Sequence, residues 1–287
     1  MLYQEIHLKD RFPFLGENGR DPILQVYIPE NIRKRNADMT GTDDESAKRP
    51  SMLICPGGGY RHVSPREAEP IAVHFLPEGL NTFVLTYSVG EEDRFPVQLR
   101  EVAAAMELIH ENAANWCCDP ERIAIMGFSA GGHLAAHYSN YYHCPQVREV
   151  FPESKKVNAS ILCYPVITAD PNYCHRGSIE KVAGYFPITE EDMYVFSCEY
   201  QVTEDTPPTF LWHTAADDGV PVQNSLFYAA ALAKHKVPFE CHIYPFGCHG
   251  KATADLQTCG EIESGTEYLR DWLTAVKKWL RLTFHTE

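Results

Sequence analysis

Ser129 stands in Gly127-Phe-Ser129-Ala-Gly131, between the apolar run Arg122-Ile-Ala-Ile-Met126 and a small-residue stretch that begins at Ala130. A strand that turns through such a segment straight into a helix lifts the serine hydroxyl out of a tight elbow, and the glycines relieve the crowding around it. Serine is a weak nucleophile near neutral pH, so it needs a base to take its proton and a third group to fix that base's tautomer. Downstream, Phe210-Leu-Trp-His-Thr-Ala-Ala-Asp217-Asp218 runs from an apolar strand into two adjacent carboxylates, one of which serves as the orienter. After the following strand, Tyr244-Pro-Phe-Gly-Cys-His249-Gly250 places a histidine in a glycine-bounded loop, where a base could reach the serine. The order Ser129, Asp217, His249, each just past a strand, is that of nucleophile, acid and base for acyl transfer.

Acyl transfer puts negative charge on the former carbonyl oxygen, so donors must stand ready for it. Cys55-Pro-Gly57-Gly58-Gly59-Tyr60 follows an apolar strand, and glycines there let backbone amides come close to an oxyanion. We assign Gly58, Gly59 and Ala130 to this oxyanion hole, although the spacing alone leaves open which of Gly57, Gly58 and Gly59 supplies the amides. His133 and His137 lie one turn apart on the helix after the elbow, and His213 lies inside a strand, so all three read as structural groups. No Cys-x-x-Cys pair and no G-x-G-x-x-G opening a helix occurs, so neither a metal nor a dinucleotide cofactor is expected.

These residues need a scaffold. Apolar or β-branched runs at 23–28, 52–55, 82–87, 122–127, 159–164, 209–213 and 240–244 alternate with helical patterns, which predicts an α/β fold with a mostly parallel central sheet and helices on both faces. The clearest helix runs from Pro96 to Trp116 on the stripe Leu99, Val102, Ala103, Met106 and Ile109, and another from Glu267 to Leu282 closes the chain. Two segments break the rhythm. About residues 30–50 the chain is polar and charged in both signs, a solvated surface loop without a function. The segment of about 169–207 is a small aromatic-rich cap insertion, whose Tyr185 and Phe186, with Tyr60, are assigned to substrate binding. With no internal repeat or linker, residues 1–287 read as a single domain.

The 287 residues carry a net charge of −14, with 44 % hydrophobic and 22 % charged residues. That composition excludes a disordered chain, and an acidic surface disfavours nucleic acid and anionic membranes as partners. No apolar run approaches the roughly 18 residues of a membrane span, and the first ten residues lack the basic and apolar regions of a secretory signal. Ten cysteines, several inside apolar runs, read as reduced thiols, and the expected location is cytoplasmic. Homo-oligomerisation is left open.

The chain resembles the α/β-hydrolase superfamily, and within it the acetyl-xylan esterase-like and feruloyl-esterase-like carbohydrate esterases close to the hormone-sensitive-lipase group. The resemblance covers about residues 50–285 and rests on Pro56-Gly-Gly-Gly-Tyr60, Gly127-Phe-Ser-Ala-Gly-Gly-His-Leu-Ala135, Thr206-Pro-Pro-Thr-Phe210, Asp217-Asp-Gly-Val-Pro221 and Gly247-Cys-His-Gly250, in family order. Relatives place the acid three residues before the Val of the Val-Pro pair, which implies Asp217 rather than Asp218. Pro56 replaces the histidine of the lipase-like His-Gly-Gly-Gly, which keeps the amide donors and weakens a lipase specificity. The resemblance implies a serine carboxylesterase removing acetyl or similar short acyl groups from sugars such as xylo-oligosaccharides, so the expected partner is a small acylated sugar. The alternatives are a general short-chain carboxylesterase and a prolyl-oligopeptidase-like serine peptidase, which shares the triad but usually adds a further domain. A hydrolase-fold binding protein is a third reading, opposed by the intact set of Ser129, Asp217 and His249.

Overall fold

A computed structural model describes residues 1–30, 48–261 and 265–285. Most of the polar segment expected at about 30–50 lies outside these residues.

Eight strands form one sheet: β1 (Leu2–His7), β2 (Ile23–Ile28), β3 (Arg49–Cys55), β4 (Asn81–Thr86), β5 (Cys118–Phe128), β6 (Ala159–Cys163), β7 (Thr209–Thr214) and β8 (Phe239–Tyr244). Their order is β1-β2-β4-β3-β5-β6-β7-β8. β1 pairs antiparallel with β2 and β2 with β4, while every pairing from β4 to β8 is parallel. Parallel neighbours demand crossovers, and the helices that supply them cover both faces of the sheet.

Strand alternation divides the core. Ile123 and Ile125 of β5 join the cluster on one face, with Val102 and Met106 of α1 (Val97–Glu111), Leu134 of α2 (Ala130–Tyr141), and Tyr228 and Leu232 of α4 (Gln223–Lys234). Ala124, Met126 and Phe128 join the other face, with Trp272, Val276 and Trp279 of α5 (Asp271–Thr283). There Trp272 stacks on Trp212 of β7 with ring centroids 5.1 Å apart. Burying a large side chain of this kind contributes about 1.5–3 kcal/mol, so the last helix is fastened by few residues.

The structure differs from the sequence expectation at several edges. The predicted helix 96–116 stops at Glu111, where Asn112 leaves the helical region at φ −99° and ψ 11° and its side chain also bonds the Leu108 carbonyl, and a separate turn at Ala113–Trp116 ends on Cys117 at φ 54°. β1 was not expected, since at an edge Leu2, Tyr3, Gln4 and Glu5 are all exposed and show no apolar alternation. The segment about 169–207 contains α3 (Arg176–Ala183) and buries Ile179, Val182, Ile188, Phe196 and Cys198 in the first core cluster. All ten cysteines are free thiols, of which only Cys248 is exposed. Among the described residues no helix is long and apolar enough to cross a membrane.

Candidate active site

β5 ends at Phe128 and α2 begins at Ala130, so Ser129 alone makes the turn, at φ 53° and ψ −119°. A non-glycine residue held there carries a strain of about 1–3 kcal/mol, tolerated only where the surroundings fix it. Its N–H donates to the Cys163 carbonyl and its C=O accepts from Val166 N–H and His133 N–H. The neighbouring glycines are required by close approach. A Cβ on Gly131 would lie 2.1 Å from the Cys55 carbonyl oxygen, and one on Gly127 2.1 Å from that of Gly131.

The three residues that the sequence places far apart meet at the carboxyl ends of the strands. His249 Nε2 lies 2.7 Å from Ser129 Oγ, and His249 Nδ1 lies 2.8 Å from Asp217 Oδ2. A carboxylate can only accept, so Nδ1 carries the hydrogen and Nε2 is free to take the serine proton. Asp218 has a different task, since its Oδ1 accepts the backbone N–H of His249 at 3.0 Å. That division explains two adjacent carboxylates: one holds the ring and the other the loop.

Asp217 is almost fully buried, with its side chain 1 % exposed. Burial alone would raise its pKa. Hydrogen bonds from His213 and His249, followed by the charge of His249 and the Val220 N–H, outweigh that and hold the carboxyl well below the usual range. Its Oδ1 accepts from Gly219 N–H at 2.9 Å and Val220 N–H at 2.7 Å. The acid therefore stays ionised and cannot turn.

His213 reads from sequence as structural, and the structure adds a contact to the acid. Its Nδ1 bonds Ser225 Oγ at 2.8 Å, while Nε2 lies 2.9 Å from the Val220 carbonyl and 3.2 Å from Asp217 Oδ2. Both acceptors of Nε2 require a hydrogen there, so the ring is a donor to the acid. His133 and His137 are buried away from the relay. His133 Nε2 donates to the Phe196 carbonyl at 3.1 Å, and its Nδ1 accepts from Tyr60 OH at 2.9 Å.

The glycine loop is set by a residue that the sequence reading missed. Glu67, buried, accepts the Gly57 N–H at 2.9 Å through Oε2 and the Tyr164 hydroxyl at 2.7 Å through Oε1. The Gly57 amide is thus committed, and of the three glycines Gly58 and Gly59 line the cleft with Ser129. Ala130 is the first residue of α2, where a backbone N–H has no acceptor within the helix. Tyr164 also lays its ring edge-on to His249, centroids 5.1 Å apart, and its hydroxyl accepts Ala252 N–H.

The cleft has a volume of about 340 Å³ and is lined also by Arg61, His62, Arg66, His175 and Gly177. His175 caps α3 by accepting Ser178 N–H on Nδ1. The three aromatic residues assigned to substrate binding are placed elsewhere. Tyr60 is 1 % exposed, turned inward at φ 57° to reach His133. The Tyr185 hydroxyl bonds Asp192, and Phe186 lies under the Arg176 guanidinium at 4.9 Å from its centroid. None of the three is among the described residues lining the cleft; the insertion contributes His175 and Gly177 instead, residues whose polarity and size gave no signal in sequence.

Comparison with known proteins agrees with this architecture. The BD-FAE family model matches residues 38–232. Endo-1,4-beta-xylanase B of Butyrivibrio fibrisolvens is 37 % identical over 74 % of this chain and 34 % of its own length. Acetylxylan esterase of Xylanibacter ruminicola is 30 % identical over 82 % of this chain and 45 % of its own. The chain therefore spans only a third to a half of these curated relatives. The crystal structure of the acetyl ester-xyloside bifunctional hydrolase from Caldicellulosiruptor lactoaceticus superposes with a TM-score of 0.80, at 32 % identity, covering 97 % of this chain and 96 % of that one. The sheet and its helices have the α/β-hydrolase fold.

Proposed function

This chain belongs to the BD-FAE family, and on that premise we propose that it is a serine carboxylesterase that removes short acyl groups, acetyl above all, from acylated sugars such as xylo-oligosaccharides. The observation that carries the reading is the unbroken relay from Ser129 Oγ through His249 to Asp217, with contacts of 2.7 Å and 2.8 Å. Relatives named as acetylxylan esterase and acetyl ester-xyloside hydrolase support the substrate class.

In the proposed reaction Ser129 Oγ attacks the ester carbonyl as His249 Nε2 takes its proton, while the ionised Asp217 stabilises the imidazolium. Amides of Gly58, Gly59 and Ala130 receive the oxyanion, each donor worth about 10²–10³ in rate. Collapse breaks the bond to the sugar oxygen, which leaves with the proton from His249. Water then attacks the acyl-enzyme with His249 as base, releasing the carboxylic acid and restoring Ser129.

The test is pre-steady-state hydrolysis of p-nitrophenyl acetate, followed by steady-state rates on acetylated xylo-oligosaccharides, feruloyl esters and p-nitrophenyl esters of rising chain length. A burst stoichiometric with enzyme, and a preference for acetyl over longer chains, is expected. Absence of any ester turnover, with Ser129 unlabelled by a fluorophosphonate, would overturn the reading.

A further inference from the structure

We propose that the cleft selects esters whose alcohol portion carries a carboxylate, an acidic sugar in particular, through the guanidinium groups of Arg61 and Arg66. This rests on the esterase reading above and narrows its substrate class. Both arginines line the cleft that holds Ser129 and His249. Both are exposed, and among the described residues neither has an ion-pair or hydrogen-bond partner.

Arg94 and Arg148 are likewise unpaired among the described residues, but neither lines this cleft. Acidic residues outnumber basic ones 39 to 25, and Arg11, Arg20, Arg100, Arg122, Arg176 and Arg281 each pair with a carboxylate. Within the cleft the only carboxylate among the described lining residues is Glu67, and both its oxygens are taken by Gly57 and Tyr164. The two guanidiniums thus keep unengaged N–H donors facing the cleft, while the buried carboxylates of Glu67 and Asp217 are committed to their own partners and Arg61 also borders a second pocket with Glu91, Glu92 and Glu180.

The geometry places Arg66 on the His249 side of the cleft. A Cβ on Gly250, the residue after His249, would stand 2.4 Å from Arg66 Nη2, and His249 is the group that returns a proton to the departing alcohol. Arg61 flanks the same mouth, with Nη2 3.2 Å from where a Cβ on Gly177 would stand. Its charge adds to burial, the larger cause, and to His249 in holding His175 below the ordinary imidazole value. A guanidinium offers parallel N–H donors that fit the two oxygens of a carboxylate, which a neutral hydroxyl cannot match.

The experiment compares three esters: 4-acetoxybenzamide, neutral; 4-acetoxybenzoate, with the carboxylate on the alcohol; and phenyl hydrogen succinate, with the carboxylate on the acyl group. Their intrinsic reactivities cancel when wild type is compared with the Arg61→Gln/Arg66→Gln double variant. The ratio of kcat/KM for 4-acetoxybenzoate over 4-acetoxybenzamide is expected to fall by about tenfold in the double variant, mainly through KM, as exposed charge-assisted contacts of this kind warrant. The difference should shrink in about 0.5 M salt, where the screening length is a few ångströms, and Arg61→Lys/Arg66→Lys should keep part of it. An unchanged ratio, or a change confined to phenyl hydrogen succinate, would overturn the proposal while 4-acetoxybenzamide is still hydrolysed. Failure of wild type to hydrolyse even 4-acetoxybenzamide would sink the esterase reading itself, and the proposal with it.

Discussion

The Nε2 of His213 lies 3.2 Å from Oδ2 of Asp217, the same carboxylate oxygen that His249 reaches at 2.8 Å. Two imidazoles therefore share one acceptor, and the buried one fixes the acid from the side that substrate never meets. His213→Leu removes a donor to the acid and strips partners from Ser225 Oγ and the Val220 carbonyl. Misplacement of a relay by a fraction of an ångström costs on the order of 10- to 100-fold, so kcat is expected to fall by that factor with KM little changed. Each stranded buried group costs about 1–3 kcal/mol, so the urea midpoint should fall as well. An unaltered kcat in a folded His213→Leu protein would show that Gly219, Val220 and His249 hold the carboxylate unaided.

Substitution of the relay itself separates nucleophile from orienter. Ser129→Ala should abolish both turnover and fluorophosphonate labelling. Asp217→Asn preserves shape but favours the wrong tautomer of His249, and a loss of about 10⁴ in kcat is expected. Asp218→Asn, which touches only the His249 backbone, should lose far less. The ratio of the two asparagine variants checks the division of labour between the neighbouring acids.

Glu67→Gln tests the support of the glycine loop. Its carboxylate accepts at both oxygens, from Gly57 N–H and Tyr164 OH, whereas an amide must turn its NH₂ toward one of these donors. Loosening of Gly58 and Gly59 should lower kcat by about 10²-fold, the worth of one oxyanion donor, while labelling of Ser129 by a small electrophile is less affected. Equal kcat in wild type and Glu67→Gln would remove the loop from the account of the oxyanion.

Stability should respond to pH through His133. Burial holds its pKa down at about 4, against an upward pull from the Phe196 carbonyl, while the unfolded imidazole titrates near 6.5. Above pH 6.5 both states are neutral and nothing is lost. As pH falls from 6.5 to 4 the unfolded chain alone takes the proton, and the cost grows to about 3 kcal/mol. His137, lowered by burial and by the neighbouring His133, acts in the same direction. Glu101 acts in the opposite one, because burial, offset in part by the Ser88 hydrogen bonds, pushes its carboxyl up to about 7. It therefore favours the folded state as pH falls from 7 toward 4.5. Urea midpoints measured from pH 7 to 4.5 should accordingly show a shallower decline in His133→Gln than in wild type; identical slopes would mean that the folded ring takes its proton as readily as the unfolded one.

Legibility in the sequence followed chain-local physics. Ser129, Asp217 and His249 were readable because each follows an apolar run that can only be a strand, and a parallel sheet brings strand ends to one edge. Glu67 was not, since its partners Gly57 and Tyr164 are 10 and 97 residues away and a glutamate in a polar stretch resembles any surface acid. Tyr60 was misplaced for a related reason. Its position beside the glycines was correct, but a backbone at φ 57° aims the ring inward, a direction that composition does not encode. β1 escaped because an edge strand needs no apolar face, and the contact of His213 with Asp217 escaped because strand alternation tells which side a ring takes, not which atom it meets.

One exposed thiol bears on how inhibitors of this protein are to be read. Nine of the ten cysteines are at least partly covered, whereas Cys248 is exposed and adjoins His249 in the chain. Alkylation by iodoacetamide or a maleimide would fall first on that sulfur and hang a bulky adduct beside His249. Loss of turnover after such treatment would mimic a thiol hydrolase even with Ser129 as the nucleophile, as proposed above. Cys248→Ser, insensitive to the reagent and still active, separates obstruction from chemistry.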